Sequence, residues 1–119
     1  MVTYNLHLES KGDNELRSSQ LAEALGDARR YSSDTAVVLA GDLNLDVSSG
    51  PVSGAIRAAE FSDVFLERHA PTTPDTLFGH GRTIDWIFAC GPLQTLHAQV
   101  VRTVSASDHY PLCANLDFR

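Results

Sequence analysis

Two polar residues, Asp42 and Asn44, follow an apolar run that ends at Ala40. If the backbone stays extended here, side chains two residues apart point to the same side, and a carboxylate and an amide face one point. The alternative is a local turn, because Asp and Asn side chains readily bond to the backbone at strand ends. Taken alone, residues 41–44 favour the turn over a functional site.

Asp85 is the one carboxylate in a segment, residues 83–88, that otherwise suits a protein core. A buried carboxylate without a partner costs several kcal/mol, so a cationic or hydrogen-donating group should meet it. Arg82 or backbone amides could satisfy Asp85. Alternatively, Asp85 could orient a histidine, as carboxylates do in hydrolytic triads. The segment itself leaves both alternatives open.

An acid and an imidazole are adjacent at Asp108 and His109, in a loop that precedes Pro111 and a last apolar segment. His109 could stabilise charge on a phosphoryl oxygen or move a proton near neutral pH. Asp108 could bind a hard cation directly or through water. The pair indicates metal-assisted hydrolysis, although so short a motif is a weak signal. His7, by itself, is more typical of a satisfied interior histidine.

Hydrophobic periodicity predicts the elements that would carry these residues. The predicted strands are residues 2–8, 36–40, 83–90, about 96–104 and 112–118. One helix is predicted over residues 13–31 with Asp13 as its N-cap, and a short one begins at Pro51, with the apolar pattern continuing through residues 61–65. This order predicts one α/β (α+β) domain with a mixed, mostly antiparallel sheet and two helices on one face.

Composition and charge narrow the classes of function. The chain has 119 residues, 43% of them hydrophobic, and a formal charge of −6, which is typical of one globular domain. No stretch concentrates Lys and Arg, which disfavours a broad nucleic-acid-binding surface. A phosphate substrate remains compatible, because a bound cation can bring the positive charge. The apolar runs are too short to cross a bilayer, so no membrane span is expected.

Cys90 and Cys113 lack the close spacing of a zinc knuckle or a redox pair. Their apolar neighbours predict two buried free thiols, although a disulfide between them stays open. Free thiols favour a reducing compartment, and the N-terminal residues lack the basic region and long apolar stretch of a signal peptide. We therefore expect a cytoplasmic location.

Four segments occur in order across nearly the whole chain. They are Asn-Leu-His-Leu at residues 5–8, Leu-Ala-Gly-Asp-Leu-Asn at 39–44, Arg-Thr-Ile-Asp-Trp-Ile-Phe at 82–88 and Ser-Asp-His-Tyr-Pro-Leu at 107–112. Each is weak alone, but four in this order make coincidence improbable. Together they resemble the endonuclease/exonuclease/phosphatase superfamily, which includes exonuclease III and pancreatic deoxyribonuclease.

The resemblance implies a four-layer α/β sandwich with a Mg²⁺ or Mn²⁺ site at the sheet ends. It implies hydrolysis of a phosphate ester in a nucleic acid, an inositol phosphate or a phospholipid headgroup. It also implies roles for individual residues. Asp42 would bind the metal and position or deprotonate the attacking water, while Asn44 would hold that water or a phosphate oxygen.

Four further roles follow from the resemblance. His109 would stabilise the charge of the transition state, and Asp85 would fix the ring of His109. This would supply the partner that a buried Asp85 requires. Asp108 would assist the metal, and His7 would contact the scissile phosphate.

Members of the superfamily carry an Asn and a metal-binding Glu in an N-terminal half, and no such segment precedes Met1. We therefore expect residues 1–119 to be a single partial domain, the C-terminal half, with weak metal binding and little hydrolysis on its own. The alternative is a non-catalytic interaction or scaffolding module that retains the fold. A half-sandwich would expose a sheet face, which predicts self-association or a covering partner.

Overall fold

Strands and helices alternate in the first part of the chain and strands follow in the second. The computed structural model describes residues 1–66 and 70–119. In chain order, the elements are β1 (Val2–His7), α1 (Asn14–Ala28), β2 (Val37–Asp42), α2 (Gly50–Ala58), β3 (Ser62–Asp63), β4 (Asp85–Cys90), β5 (Leu93–Val100) and β6 (Leu112–Phe118).

These strands form two sheets. One has four strands in the order β1-β2-β4-β3, and the other consists of β5 and β6, called the β5–β6 ribbon below. β1 and β2 are parallel, whereas β2–β4, β3–β4 and β5–β6 are antiparallel. The predicted mixed, mostly antiparallel α/β class is therefore confirmed.

The hydrophobic core lies between one face of the four-stranded sheet and both helices. Alternate residues of each strand point to this face, as the pleat requires. The buried core residues include Val37 and Leu39 on β2, Trp86 and Phe88 on β4, Leu21, Leu25 and Ala28 on α1, and Ile56 on α2. The two helices thus cover the same face, as predicted.

The opposite face of this sheet is less buried. On β1 it presents the exposed polar residues Thr3, Asn5 and His7, and its residues on β2 and β4 are half-buried. The ribbon contacts the sheet through β6 and β4. Self-association through this face stays a prediction, and light scattering that finds only monomer at high protein concentration would contradict it.

Helix α1 begins as predicted and ends earlier. Asp13 is the N-cap, and its Oδ1 accepts a hydrogen bond from the Leu16 amide at 2.9 Å. The predicted end near residue 31 is wrong, because the helix stops at Ala28. Beyond it the amides of Arg30 and Tyr31 bond three residues back instead of four, which tightens the chain into a turn.

Several strand boundaries differ from prediction. β2 continues through Gly41 and Asp42, because both residues pair with β1 and β4. β5 covers residues 93–100 instead of 96–104, because a turn at Gly91 (φ 82°) starts it directly after β4. The two-residue strand β3 was not predicted, since residues 62–63 show no strand periodicity and pair only through β4.

Both cysteines are free, as predicted, but only Cys90 is half-buried. The prediction that Cys113 is buried is wrong, because it lies on the outward side of β6 and is exposed. In the part of the chain that the structure describes, no helix combines the length and apolar character needed to cross a membrane.

Candidate active site

One row of polar residues crosses three strands of the four-stranded sheet, at the end of the sheet where β1 and β2 finish and β4 begins. His7 is the last residue of β1, Asp42 the last of β2 and Asp85 the first of β4, and they are paired as His7↔Asp42 and Asp42↔Asp85. Because β4 is antiparallel to β2 and β1 is parallel to β2, the beginning of β4 lies level with the ends of β1 and β2. The register therefore places two carboxylates and an imidazole side by side on the face opposite the helices.

Gly41 allows β2 to approach β1 closely just before Asp42. Its φ is 142°, and a Cβ built on it would lie 1.8 Å from the backbone oxygen of Leu6. Residues other than glycine rarely adopt this backbone conformation, and backbone atoms of Leu6 occupy the position that a Cβ would take. Glycine at this position thus permits the pairing that brings Asp42 next to His7.

His109 joins the row from the loop that precedes β6. Its Nδ1 lies 2.8 Å from Asp85 Oδ2, and its Nε2 lies 3.8 Å from Asp42 Oδ2. His7 Nε2 lies 3.7 Å from the same oxygen of Asp42. The two acids are mostly buried, with side chains 15% (Asp85) and 20% (Asp42) exposed, whereas His7 is 73% exposed. The structure therefore brings these four predicted residues together.

The Asp85–His109 contact decides between the two alternatives left open for Asp85. The carboxylate oxygen Oδ2 faces an imidazole nitrogen, whereas the nearby amides of Ile84 and Asp85 donate to the hydroxyl oxygen of Thr72. With Asp85 as acceptor, His109 carries a proton on Nδ1 and directs Nε2 towards Asp42. The carboxylate thus fixes the orientation of the ring.

The charge of His109 is controlled by its acidic neighbours. Partial burial acts to lower the pKa of His109, but the hydrogen bond to Asp85 and the charges of Asp85, Asp42 and Asp108 outweigh it. The net effect is a pKa above the ordinary value for histidine. A larger fraction of His109 is therefore protonated near neutral pH than for a free imidazole.

Asn44 lies in a turn. Its φ is 50°, its amide donates to Asp42 Oδ1 at 2.8 Å, and its side-chain Nδ2 donates to the backbone oxygen of Leu8 at 3.0 Å. The turn alternative therefore describes the backbone, and the two side chains are not related by extended spacing. Asn44 ties the loop after β2 to the end of β1, and its contact with water or phosphate stays a prediction.

Asp108 is exposed and lies outside the cluster. Its Oδ1 accepts a bond from Ser107 at 3.3 Å, and it influences His109 through charge. One potential metal-binding group occurs among residues 1–66 and 70–119, formed by Asp42, Asp85 and His109, with ligand atoms all within 4.8 Å of one another. A metal-binding role for Asp108 stays a prediction.

The donor set of the cluster fits a hard cation only in part. Mg²⁺ takes oxygen ligands and keeps several waters when one or two carboxylates hold it. Asp85 Oδ2 already faces His109 and a hydroxyl, whereas Asp42 Oδ2 faces two imidazoles at 3.7 and 3.8 Å. Asp42 is therefore the residue of the cluster best suited to bind a hydrated Mg²⁺ or Mn²⁺.

A residue that no sequence motif indicated, Thr72, also reaches the site. Its side-chain oxygen lies 2.6 Å from Asp85 Oδ2, and the residue is fully buried. Thr72 lies more than ten residues from Asp85 in sequence, in a segment rich in Pro and Thr that is typical of a surface loop. A threonine in such a loop carries no periodic or motif signal, so sequence reasoning missed it.

The sequence model of the Endonuclease/Exonuclease/phosphatase family matches residues 8–109 of the chain. The search of curated protein sequences found no match to this chain.

Solved structures share the fold over almost the whole chain. A protein described as an endonuclease/exonuclease/phosphatase from Beutenbergia cavernae is 23% identical with a TM-score of 0.74, covering 94% of this chain and 34% of its own. TDP2 from D. rerio, complexed with a single-strand DNA product, is 20% identical with a TM-score of 0.73, covering 97% of this chain and 55% of its own. A mannosyl-6-phosphatase from Bacteroides thetaiotaomicron is 23% identical with a TM-score of 0.70, and the match covers 98% of this chain and 51% of the phosphatase. The chain therefore spans between one third and just over half of these relatives.

Proposed function

Because the chain belongs to the endonuclease/exonuclease/phosphatase family, we propose that the protein containing it hydrolyses phosphate esters with Mg²⁺ or Mn²⁺ as cofactor. The observation that carries the proposal is the position of His109, which is 2.8 Å from Asp85 through Nδ1 and 3.8 Å from Asp42 through Nε2. An oriented imidazole beside a second carboxylate can align an attacking water and stabilise the charge that develops on a phosphoryl oxygen.

In the proposed reaction, Asp42 and His109 act on different atoms. Asp42 Oδ2 accepts a hydrogen bond from the attacking water and aligns it, or takes its proton. His109 is oriented by Asp85, and its raised pKa favours the protonated ring. Its Nε2–H then donates to a phosphoryl oxygen, which offsets the negative charge that develops there.

His7 and Asn44 have supporting roles in the proposal. His7 is 73% exposed and borders the same oxygen of Asp42, so its ring is accessible to a phosphate oxygen of a bound substrate. One N–H of the Asn44 side chain donates to the backbone oxygen of Leu8, so its second N–H could hold a phosphate oxygen and its side-chain oxygen could hold the water.

Asp42 would hold the cation, with Asp108 as an additional ligand through water. When bound, the metal would polarise the phosphoryl oxygens and lower the pKa of a coordinated water. The cluster has few carboxylate oxygens without hydrogen-bond partners, so we propose that this chain alone binds Mg²⁺ or Mn²⁺ weakly. Isothermal calorimetry on the chain measures this affinity, and tight binding would contradict the proposal.

The substrate is proposed as a class, an esterified phosphate in a nucleic acid, an inositol phosphate or a phospholipid headgroup. The net charge of −6 favours a substrate that is neutralised locally by the cation over one gripped along a basic track. The solved relatives include one named with a DNA product and one named as a sugar phosphatase. A substrate panel should therefore span diesters and monoesters.

The test is an activity screen on the complete protein with Mg²⁺ and Mn²⁺. We expect Asp42→Ala and His109→Ala each to lower kcat by about 100-fold or more, because each removes a group that acts on the reacting atoms. Asp34→Ala and His97→Ala are matched controls on exposed residues outside the row, expected to stay within about twofold. Absence of hydrolysis across the panel would favour the non-catalytic interaction module. Full activity of both site variants would exclude the proposed roles.

A further inference from the structure

Thr72 is fully buried and uses all its polar groups at the junction between β4 and the loop of His109. Its exposed fraction is 0%. Among the described residues, Thr72 is the one polar residue that is buried. Buried hydroxyls are hydrogen-bonded as a rule, and Thr72 Oγ1 lies within hydrogen-bond distance of Asp85 Oδ2 and of the backbone amides of Ile84 and Asp85.

The proton of the Thr72 hydroxyl has one direction open to it. The amides of Ile84 and Asp85 both lie 3.2 Å from Oγ1, and since amides only donate, they occupy the two lone pairs of the oxygen. The hydroxyl must therefore donate. Its nearest acceptor is Asp85 Oδ2 at 2.6 Å, compared with 3.2 Å for the backbone oxygen of Arg82.

Asp85 Oδ2 thereby receives two donors, the Thr72 hydroxyl and His109 Nδ1 at 2.8 Å. Because both acceptor sites of Oδ2 are occupied, the carboxylate group cannot rotate about the Cβ–Cγ bond without losing at least one of these hydrogen bonds. The hydroxyl thus limits the carboxylate to the orientation in which it meets the imidazole.

The backbone of Thr72 holds the other partner of the pair. Its oxygen accepts a bond from the amide of Tyr110, the residue after His109, at 2.7 Å. Its own amide donates to the backbone oxygen of Arg82 at 2.8 Å, which closes the loop between residues 72 and 82. Asp85 and His109 are therefore both attached to one residue.

We propose that Thr72 is the positioning residue of the Asp85–His109 pair, setting the carboxylate through its hydroxyl and the histidine loop through its backbone oxygen. The inference deepens the proposed hydrolysis, on which its catalytic meaning rests. The alternative is a purely structural role, in which the hydroxyl only satisfies the first amides of β4.

The primary test is NMR on the isotope-labelled 119-residue chain, without metal. A His109 Nδ1–H bonded to a fixed carboxylate exchanges slowly with water and gives a resolved proton signal. We expect the signal in the unmodified chain, its loss in Thr72→Val, and its retention in Thr72→Ser, which keeps the hydroxyl. Thr73→Val is the matched control, because among the described residues the Thr73 hydroxyl bonds to the backbone of Arg82 and not to Asp85.

Two results would overturn the proposal. One is a folded Thr72→Val chain with an unchanged His109 signal, which would leave Thr72 a structural role only. The other is absence of the signal in the unmodified chain. If Thr72→Val does not fold, the unmodified chain still provides the test: a slowly exchanging Thr72 hydroxyl proton with a nuclear Overhauser contact to His109 Nδ1–H is expected, and its absence contradicts the proposal.

Activity of the complete protein separates this inference from the proposed function. We expect Thr72→Val to lower kcat by about 10- to 100-fold with little change in KM, and Thr72→Ser to restore it. An NMR signal that depends on Thr72 without any hydrolysis would mean that positioning is right and hydrolysis wrong. Hydrolysis with a fully active Thr72→Val would mean the reverse.

Discussion

The four-stranded sheet and the β5–β6 ribbon differ sharply in how they are held. The sheet is covered on one face by two helices, and Leu39 at its centre is fully buried. In the ribbon, whose residues are all described, only Leu93 is buried, while Leu96 and Phe118 are 63% and 61% exposed. The candidate site joins the two regions, because the carboxylates lie on the sheet and His109 lies on the approach to the ribbon.

This difference shows that one half of the site is rigid by packing and the other by hydrogen bonds. Asp42 and Asp85 are fixed by strand register over a large core. His109 is fixed by its contact with Asp85 and by the bond from the Tyr110 amide to Thr72. A structure can open locally where few apolar contacts hold it. We therefore expect local opening of the ribbon to change the site by displacing His109.

The largest expected effect tests the packing difference directly. Leu39→Ala removes a fully buried side chain from β2 and should lower the free energy of unfolding by about 3 to 5 kcal/mol. The same change at half-buried Leu116 on β6 should cost only about 1 kcal/mol. Urea denaturation measures both. Equal losses for the two variants would show that the ribbon is packed as tightly as the sheet.

A second prediction concerns the point where the packed sheet ends and the site begins. Gly41→Ala places a Cβ where the Leu6 backbone oxygen lies, at a backbone angle that side chains rarely adopt. We expect a loss of about 3 kcal/mol in the free energy of unfolding and separation of Asp42 from His7.

Gly26→Ala is the control for this substitution. Gly26 lies inside α1 with nothing within 4 Å of a built Cβ, so alanine there should stabilise the chain by up to about 1 kcal/mol. Denaturation of both variants, together with NMR shifts of the His7 ring, measures the contrast. A neutral Gly41→Ala would mean that β1 and β2 can separate at this edge without cost.

The sequence predicted the sheet side of the site better than the ribbon side. The end of a continuous apolar run marked Asp42, and a lone carboxylate in a segment that otherwise suits a core marked Asp85. The junction was harder to predict. β5 was displaced by three residues, since an exposed ribbon lacks the alternation that burial imposes on a strand.

Thr72 and Asn44 show a second limit. The contacts of Thr72 arise because the loop from Thr72 to Arg82 closes upon itself and packs against β4, which is a tertiary event without a local signal. At Asn44 the sequence favoured a turn, which the structure has, but it carried no signal for the bond from Asn44 Nδ2 to the backbone oxygen of Leu8, 36 residues away. Residue types could be predicted from the sequence, whereas the hydrogen bonds that orient them depend on segments distant in the chain.

The smallest expected effect is a pH dependence at the contact between the two regions. The pKa of His109 is raised in the folded chain despite partial burial, by its bond to Asp85 and by the charges of Asp85, Asp42 and Asp108. The stability gained from a raised pKa is fully present below the unfolded value, about 6.5, and is lost as pH rises through the folded value. Unfolding free energy in metal-free buffer should therefore begin to fall near about pH 6.5 and decline further through neutral pH.

Asp85→Asn should flatten this slope, because it removes the hydrogen bond from His109 to a carboxylate and one negative charge. The charges of Asp42 and Asp108 still raise the pKa of His109 in this variant. The total change should stay below about 1 kcal/mol, since the site is partly exposed to solvent. Burial also raises the pKa of Cys90, but a thiol affects stability only above this pH range. His97→Ala, on the exposed side of β5, should leave the slope as it is. If Asp85→Asn and the unmodified chain show the same slope, the bond between sheet and loop is not formed in solution, and His109 is held by the ribbon alone.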